Sequence, residues 1–242
     1  MEKVSDTGAR VQLEGAVLKG ADFSDRSILQ FTSVGSRLSD ARFDRARIHV
    51  GSFGAGQAVS TYESCSFDDA VIYFGPGGYA RFVGCSFHRA RLTNWICHAV
   101  EVVNCVFDGR IETAVFNGTV PTRDRLVVGR DRNEFVDNDF SGAQLVDVAF
   151  RTGIDLARQR LPVGPDYFVV PRAREGLARA RKAIGSWKQA DRRGQALAHL
   201  SALEFESQGG QDQLFFRLSD YDSTDADVVR ELAEMLRPKG VG

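Results

Sequence analysis

The chain has 242 residues, room for one large domain or two modest ones, with 43% hydrophobic and 26% charged residues. Its formal net charge of −1 gives no global field that would draw it to nucleic acid or to an anionic membrane. It contains no run of about 18 apolar residues, which argues against a membrane-spanning helix.

Residues 1–10 read as a polar tail of mixed charge, with no apolar signal-peptide core. The four cysteines, Cys65, Cys85, Cys97 and Cys105, form neither a CxxC motif nor a zinc-type pairing. Both features fit a reducing cytoplasm, the expected location.

From Ala16 the sequence divides into fives: AVLKG, ADFSD, RSILQ, FTSVG, SRLSD, ARFDR, ARIHV. The reading resumes at Cys65 as CSFDD, AVIYF, GPGGY, ARFVG, CSFHR, ARLTN, WICHA, VEVVN, CVFDG. A last block, NDFSG, AQLVD, VAFRT, ends at Thr152. The third residue of each unit is usually Phe, Leu or Ile, and the first is usually small.

A period of five suits neither an amphipathic helix nor a two-period strand. It suits a square coil with one pentapeptide per side, so residues twenty apart should lie above one another. Phe23 and Phe43 obey this spacing, as do Phe67, Phe87 and Phe107, with a four-residue insertion between the two sets. Ala21, Ala41, Cys65, Cys85 and Cys105 form a second ladder beside the first, and Ile28, Ile48, Ile72 and Leu92 a third. Thirteen of the 17 Phe precede residue 157, as a core of stacked rings requires. The cysteine ladder reads as small apolar packing, because no His or carboxylate stands by to complete a tetrahedral metal site. No metal or other cofactor is expected.

The repeated small, polar, Leu-or-Phe, variable, variable pattern resembles the pentapeptide-repeat family over residues 11–152. The resemblance implies a mainly β fold with α: a right-handed quadrilateral β-helix followed by a C-terminal helical segment. It also implies a candidate partner, since some members bind DNA gyrase or topoisomerase by imitating the DNA duplex. Such mimicry calls for an acidic surface, whereas residues 1–156 carry 17 basic and 20 acidic groups.

Three breaks interrupt the repeat, and loops on a rigid scaffold often carry recognition. Residues 51–64, GSFGAGQAVSTYES, place a loop near 54–64; their GxxGxG string lacks the strand and helix context of a nucleotide site. GPGGY puts Gly77 where a core side chain belongs. Residues 117–132, NGTVPTRDRLVVGRDR, predict a projecting finger or an extra strand pair. Trp95 occupies a slot usually held by Ala, which predicts a distorted side. Trp95 and His98, with Arg123, Arg125 and Arg130 of the third break, are the candidate partner-binding residues there.

Residues 153–171 read as a linker with a short YFVV strand, and 172–242 as a helical region. Helices are expected over Arg172–Asp191, Gly194–Ser207 and Thr224–Arg237, the last with Thr224 as N-cap and Pro238 and Gly240 as stops. QLFFRL, from Gln213 to Leu218, is the most hydrophobic short segment between them. The helices are expected to close the open end of the coil or to form a homodimer interface. The first helix is rich in arginine, and Arg179 and Arg192 are its candidate phosphate contacts. The net charge of residues 157–242 is only +2, so a solvated outer face is the expected role and nucleic acid is not the expected partner.

The four histidines are scattered, and no HExxH, GxSxG, P-loop or kinase signature occurs. The expected function is a non-catalytic protein-binding or scaffold module, its partner an unidentified protein.

Overall fold

The computed structural model describes residues 8–75, 78–222 and 224–237. Most of the polar N-terminal tail, Gly77 and the stop signals Pro238 and Gly240 fall outside these residues. The chain begins with β1 (Ala9–Glu14), β2 (Val17–Lys19), β3 (Ser27–Val34), β4 (Arg37–Ser39), β5 (Arg47–Phe53) and β6 (Ser60–Glu63). It continues with β7 (Val71–Phe74), β8 (Tyr79–Val83), β9 (Ser86–Cys97) and β10 (Ala99–Val103). Then come β11 (Val106–Asn117), a short helix α1 (Arg125–Val128), β12 (Phe135–Val136) and β13 (Gln144–Arg151).

Odd-numbered strands from β1 to β13 build a seven-stranded sheet, and even-numbered strands from β2 to β12 a six-stranded one. Neighbours are parallel, with ladders such as Leu38↔Tyr62↔Phe82↔Val102 and Ile28↔Ile48↔Ile72↔Leu92↔Ile111, and the register shifts at Ala9/Arg10, Ile48/Gly51 and Asp108/Gly109. This is a parallel-strand β-solenoid whose coils recur every twenty residues apart from the insertions. At one recurring corner stand Gly20, Asp40, Ser64, Gly84, Asn104 and Asp137, all with φ between 52° and 65°. The left-handed conformation turns the chain between sides, which is why Gly, Asp and Asn recur there.

The interior is a set of ring columns. Phe23, Phe43, Phe67, Phe87, Phe107 and Phe140 stack face to face with successive centroids 4.8, 4.7, 4.7, 4.7 and 4.5 Å apart. Those distances equal the strand spacing, so the register alone brings the rings into contact. Cys65, Cys85 and Cys105 are buried free thiols in the adjacent ladder. Asn138 continues it, donating to Val102 O and Gln159 Oε1 while accepting from the Cys105 amide. A buried amide is stable in this column because each of its polar atoms has a partner.

Two compact units emerge: Met1–Val148 with Ala157–Pro162, and Ala149–Leu156 with Val163–Gly242. Part of the expected linker therefore continues the coil, with Arg160 bridged in parallel to Asp139. In the second unit β14 (Tyr167–Val170) pairs antiparallel with β15 (Leu214–Arg217). Helices α2 (Ala173–Gly185), α3 (Ala190–Glu206) and α4 (Ala226–Leu236) complete it. The apolar stripes converge on one core that includes Phe168, Leu177, Ile184, Leu200, Phe216 and Leu232. The first expected helix is shorter than its sequence pattern: α2 stops at Gly185, and α3 begins at Ala190, before Gly194. Asp225, not Thr224, stands at the N-cap of α4, and its side chain makes no capping bond. Among the described residues no helix is long and apolar enough to cross a membrane.

Candidate interaction surfaces

The outer corner beyond the phenylalanine column carries Asp25, Arg45, Asp69 and Arg89, one per coil, each at a left-handed φ of 53–60°. Arg45 donates in bidentate fashion to Asp25 at 2.6 and 2.7 Å, and Arg89 to Asp69 at 2.8 and 2.6 Å. The Arg45 and Arg89 hydrogen bonds hold the Asp25 and Asp69 carboxyls below the usual carboxylate range. The sign alternates along the column, so this edge presents no continuous acidic stripe.

The third break is built, not loose. Val120 N donates to Asp131 O and Asn133 N to Gly118 O, closing a stem, and Thr119 bridges Arg132 antiparallel. Its tip holds a 3-10 turn, Thr122–Asp124, and α1, so the excursion combines a projection with a single bridge in place of a strand pair. Asn133 is buried and donates to His98 O and Asn117 O. Glu101, only 7% exposed, meets Arg81 at 2.8 Å and Arg130 at 3.2 Å, locking the stem to the six-stranded sheet.

Within the solenoid unit Arg130 and His98 meet at Asn133, which accepts from the Arg130 guanidinium and donates to His98 O. Trp95 is 3% exposed and stacks on Phe74 at 4.5 Å, so it belongs to the interior and offers no partner contact. Ala114 of the next coil stands opposite Trp95, while Gly51 stands opposite Phe74 and Phe31 with the Phe53 ring over it. Phe74 and Trp95 thus stack as two large rings between the small residues Gly51 and Ala114, and the ladder on this side shifts register between Ile48 and Gly51 and between Asp108 and Gly109. His98, Arg123 and Arg125 are exposed. Arg130 is half-buried against Glu101 and Ala99 O, and burial lowers its pKa. In the helical unit Arg192 donates to Glu231 at 2.6 Å and lies over Trp187, while Arg179 donates to Arg237 O. Arg172, Arg174 and Arg181 are also paired with acids, so the basic stripe of α2 is largely neutralised within its own unit.

The first loop is set by backbone contact. Gly54, at φ 87°, accepts from Tyr79 N at 2.6 Å, and a Cβ there would come within 2.1 Å of Tyr79 O. Its amide donates to Ser33 Oγ, which also shares a hydrogen bond with the buried Tyr62 hydroxyl. The glycines of the GxxGxG string thus serve coil packing at this position. Among the described residues no group of three or more His, Cys, Asp or Glu is arranged to hold a metal ion.

A surface the repeat pattern did not flag lies on the seven-stranded sheet. Leu29, Val50, Val71 and Tyr73 are 45, 38, 39 and 48% exposed on the adjacent strands β3, β5 and β7. They stand at outward positions of RSILQ, ARIHV and AVIYF that the repeat usually gives to polar residues, and that mismatch was the available signal. Arg47, Val71 and Arg91 are register partners in one outward column of the same face.

The sequence matches no protein-family profile and no curated protein. Seven chains of solved structures match. One is QnrB1 (full length), a plasmid-mediated fluoroquinolone resistance protein, at 13% identity over 62% of this chain and 81% of that chain, with a TM-score of 0.24. Another is a trypsin-treated variant of QnrB1, at 11% identity over 62% and 79%, with a TM-score of 0.20. The fold stands on the chain's own strand pairing.

Proposed function

We propose that the chain is a non-catalytic protein of the pentapeptide-repeat type that works as a protein-binding scaffold. The observation that carries this reading is the combination of a ring-filled, in-register interior with large apolar side chains left outside on three adjacent strands. Such an interior is filled by its own side chains and fixes the outward ones at strand spacing, which lowers the ordering cost of binding. Exposed apolar groups that are contiguous, as opposed to scattered, mark contact surfaces.

The test is reconstitution. Proteins captured by the chain from its native cell are purified singly and mixed with it, and a complex of fixed stoichiometry is expected in sedimentation or calorimetry. If none of the purified candidates binds at micromolar concentration, the scaffold reading is wrong. The narrower reading, modulation of DNA gyrase by DNA mimicry, rests on the family resemblance. The alternating Asp25–Arg45–Asp69–Arg89 corner speaks against it, because a duplex presents phosphates of one sign. No change in gyrase supercoiling, with or without a quinolone, is expected at molar excess of the chain.

A further inference from the structure

We propose, building on the scaffold reading, that the β3–β5–β7–β9 face docks an amphipathic helix of a protein partner bearing acidic residues seven apart with apolar residues between them. Three observations lead there. Strands β3, β5, β7 and β9 contain no Asp or Glu at all, although 26% of the chain is charged. Their outward residues include Arg47, His49 and Arg91, all exposed, and neither Arg47 nor Arg91 has an acid partner within ion-pair distance among the described residues. Between and beside these side chains lie Leu29, Val50, Val71 and Tyr73. The face is therefore positive and apolar together, while the corner next to it is neutralised by its own ladder.

Geometry selects the occupant. Arg47, Val71 and Arg91 form one column across three strands, so the two arginines are two strand spacings apart, about 10 Å. Along an α-helix, residues i and i+7 lie about 10.5 Å apart on one face, with i+3 and i+4 between them. A helix lying across the strands can thus set one carboxylate on Arg47, another on Arg91, and an apolar pair on Val71 and Tyr73. A nucleic acid fits less well: three aliphatic side chains offer nothing to phosphate, and two unpaired arginines over four strands are few for a backbone-binding track.

The test uses the full chain and a labelled synthetic peptide of about 18 residues, helical in solution, with Glu at i and i+7 and Leu at i+3 and i+4. Fluorescence anisotropy is read against three further probes: the same peptide with Gln for Glu, the same with Lys for Glu, and a single-stranded thymidine oligonucleotide. Saturable binding of the Glu peptide is expected, weakened about tenfold or more by Arg47→Glu with Arg91→Glu. Tyr73→Ala weakens it further, and Arg37→Glu on the six-stranded sheet leaves it unchanged. The Lys peptide binds the doubly reversed chain better than the wild type, a rescue that unfolding cannot imitate.

The proposal is overturned if the Glu peptide does not bind, if the double reversal leaves its affinity unchanged, or if the oligonucleotide binds more tightly. A reconstituted native partner whose affinity ignores Arg47 and Arg91 would also overturn it while leaving the scaffold reading intact.

Discussion

The solenoid and the helical unit solve the burial problem in different ways. In the solenoid each ring touches its counterpart one coil away, so stability accumulates along columns and every coil depends on its two neighbours. In the helical unit three amphipathic stripes and a two-stranded ribbon share one core, where Leu200 and Leu232 are fully buried. A column is sensitive to register and tolerant of what lies outside it. A shared core is sensitive to any of its members and indifferent to repeat spacing. The solenoid's outer surface can therefore vary freely, and there the apolar and arginine residues of β3, β5, β7 and β9 are free to specialise.

The largest expected break in this comparison is Phe87→Ala. It removes a ring that stacks on Phe67 and Phe107, and should destabilise the solenoid by about 3–5 kcal/mol, read by denaturant melts. Hydrogen exchange should rise in β7, β9 and β11 while α2 and α3 stay protected. Leu232→Ala should do the converse, at about 2–5 kcal/mol, with exchange rising in α2, α3 and α4. Loss of protection in both units from either change would merge the two cores into one cooperative body.

Gly54→Ala should follow at about 1–3 kcal/mol, because the new methyl group meets the Tyr79 carbonyl and the backbone sits at positive φ. Gly129→Ala, also at positive φ but with open space around it, should cost less, and the gap between the two melts measures the contact alone.

Tyr221 sharpens the comparison by pH. Burial raises its phenol from 10.0 to about 12, so the folded helical unit holds the proton more tightly than the unfolded chain does. The associated stability is full below pH 10 and is lost as pH rises toward 12. Melts of the helical unit should fall over that window in the wild type and fall less in Tyr221→Phe. The smallest effect is expected at the corner ladder: exchanging the charges, Asp25→Arg with Arg45→Asp, should leave the melt unchanged, since these groups are solvent-exposed.

Much of the solenoid was legible in the sequence because its signal is periodic: the phenylalanine and isoleucine columns follow from counting twenty. The corner ladder obeys the same count, yet it lies at variable positions where no single unit looks unusual. The burial of Trp95 was not legible because its neighbours Phe74 and Ala114 belong to other coils that only the register brings alongside. The excursion over 117–132 kept no period, and the residues flanking its α1 turn, Asp124 and Arg130, contact Tyr79 and Glu101, far away in sequence. In the helical unit the stripes were readable, whereas the pairing of Tyr167–Val170 with Leu214–Arg217 joins segments separated by two helices. The docking face escaped notice because it is defined by what four separate strands lack.

The most direct test of the column architecture is a set of aromatic NOEs measured with 13C-labelled phenylalanine rings. Cross-peaks are predicted from Phe67 to both Phe43 and Phe87, and from Phe87 to Phe107, with none between Phe23 and Phe67. Absence of the Phe67–Phe87 cross-peak, in a sample whose other ring contacts are resolved, would contradict the account.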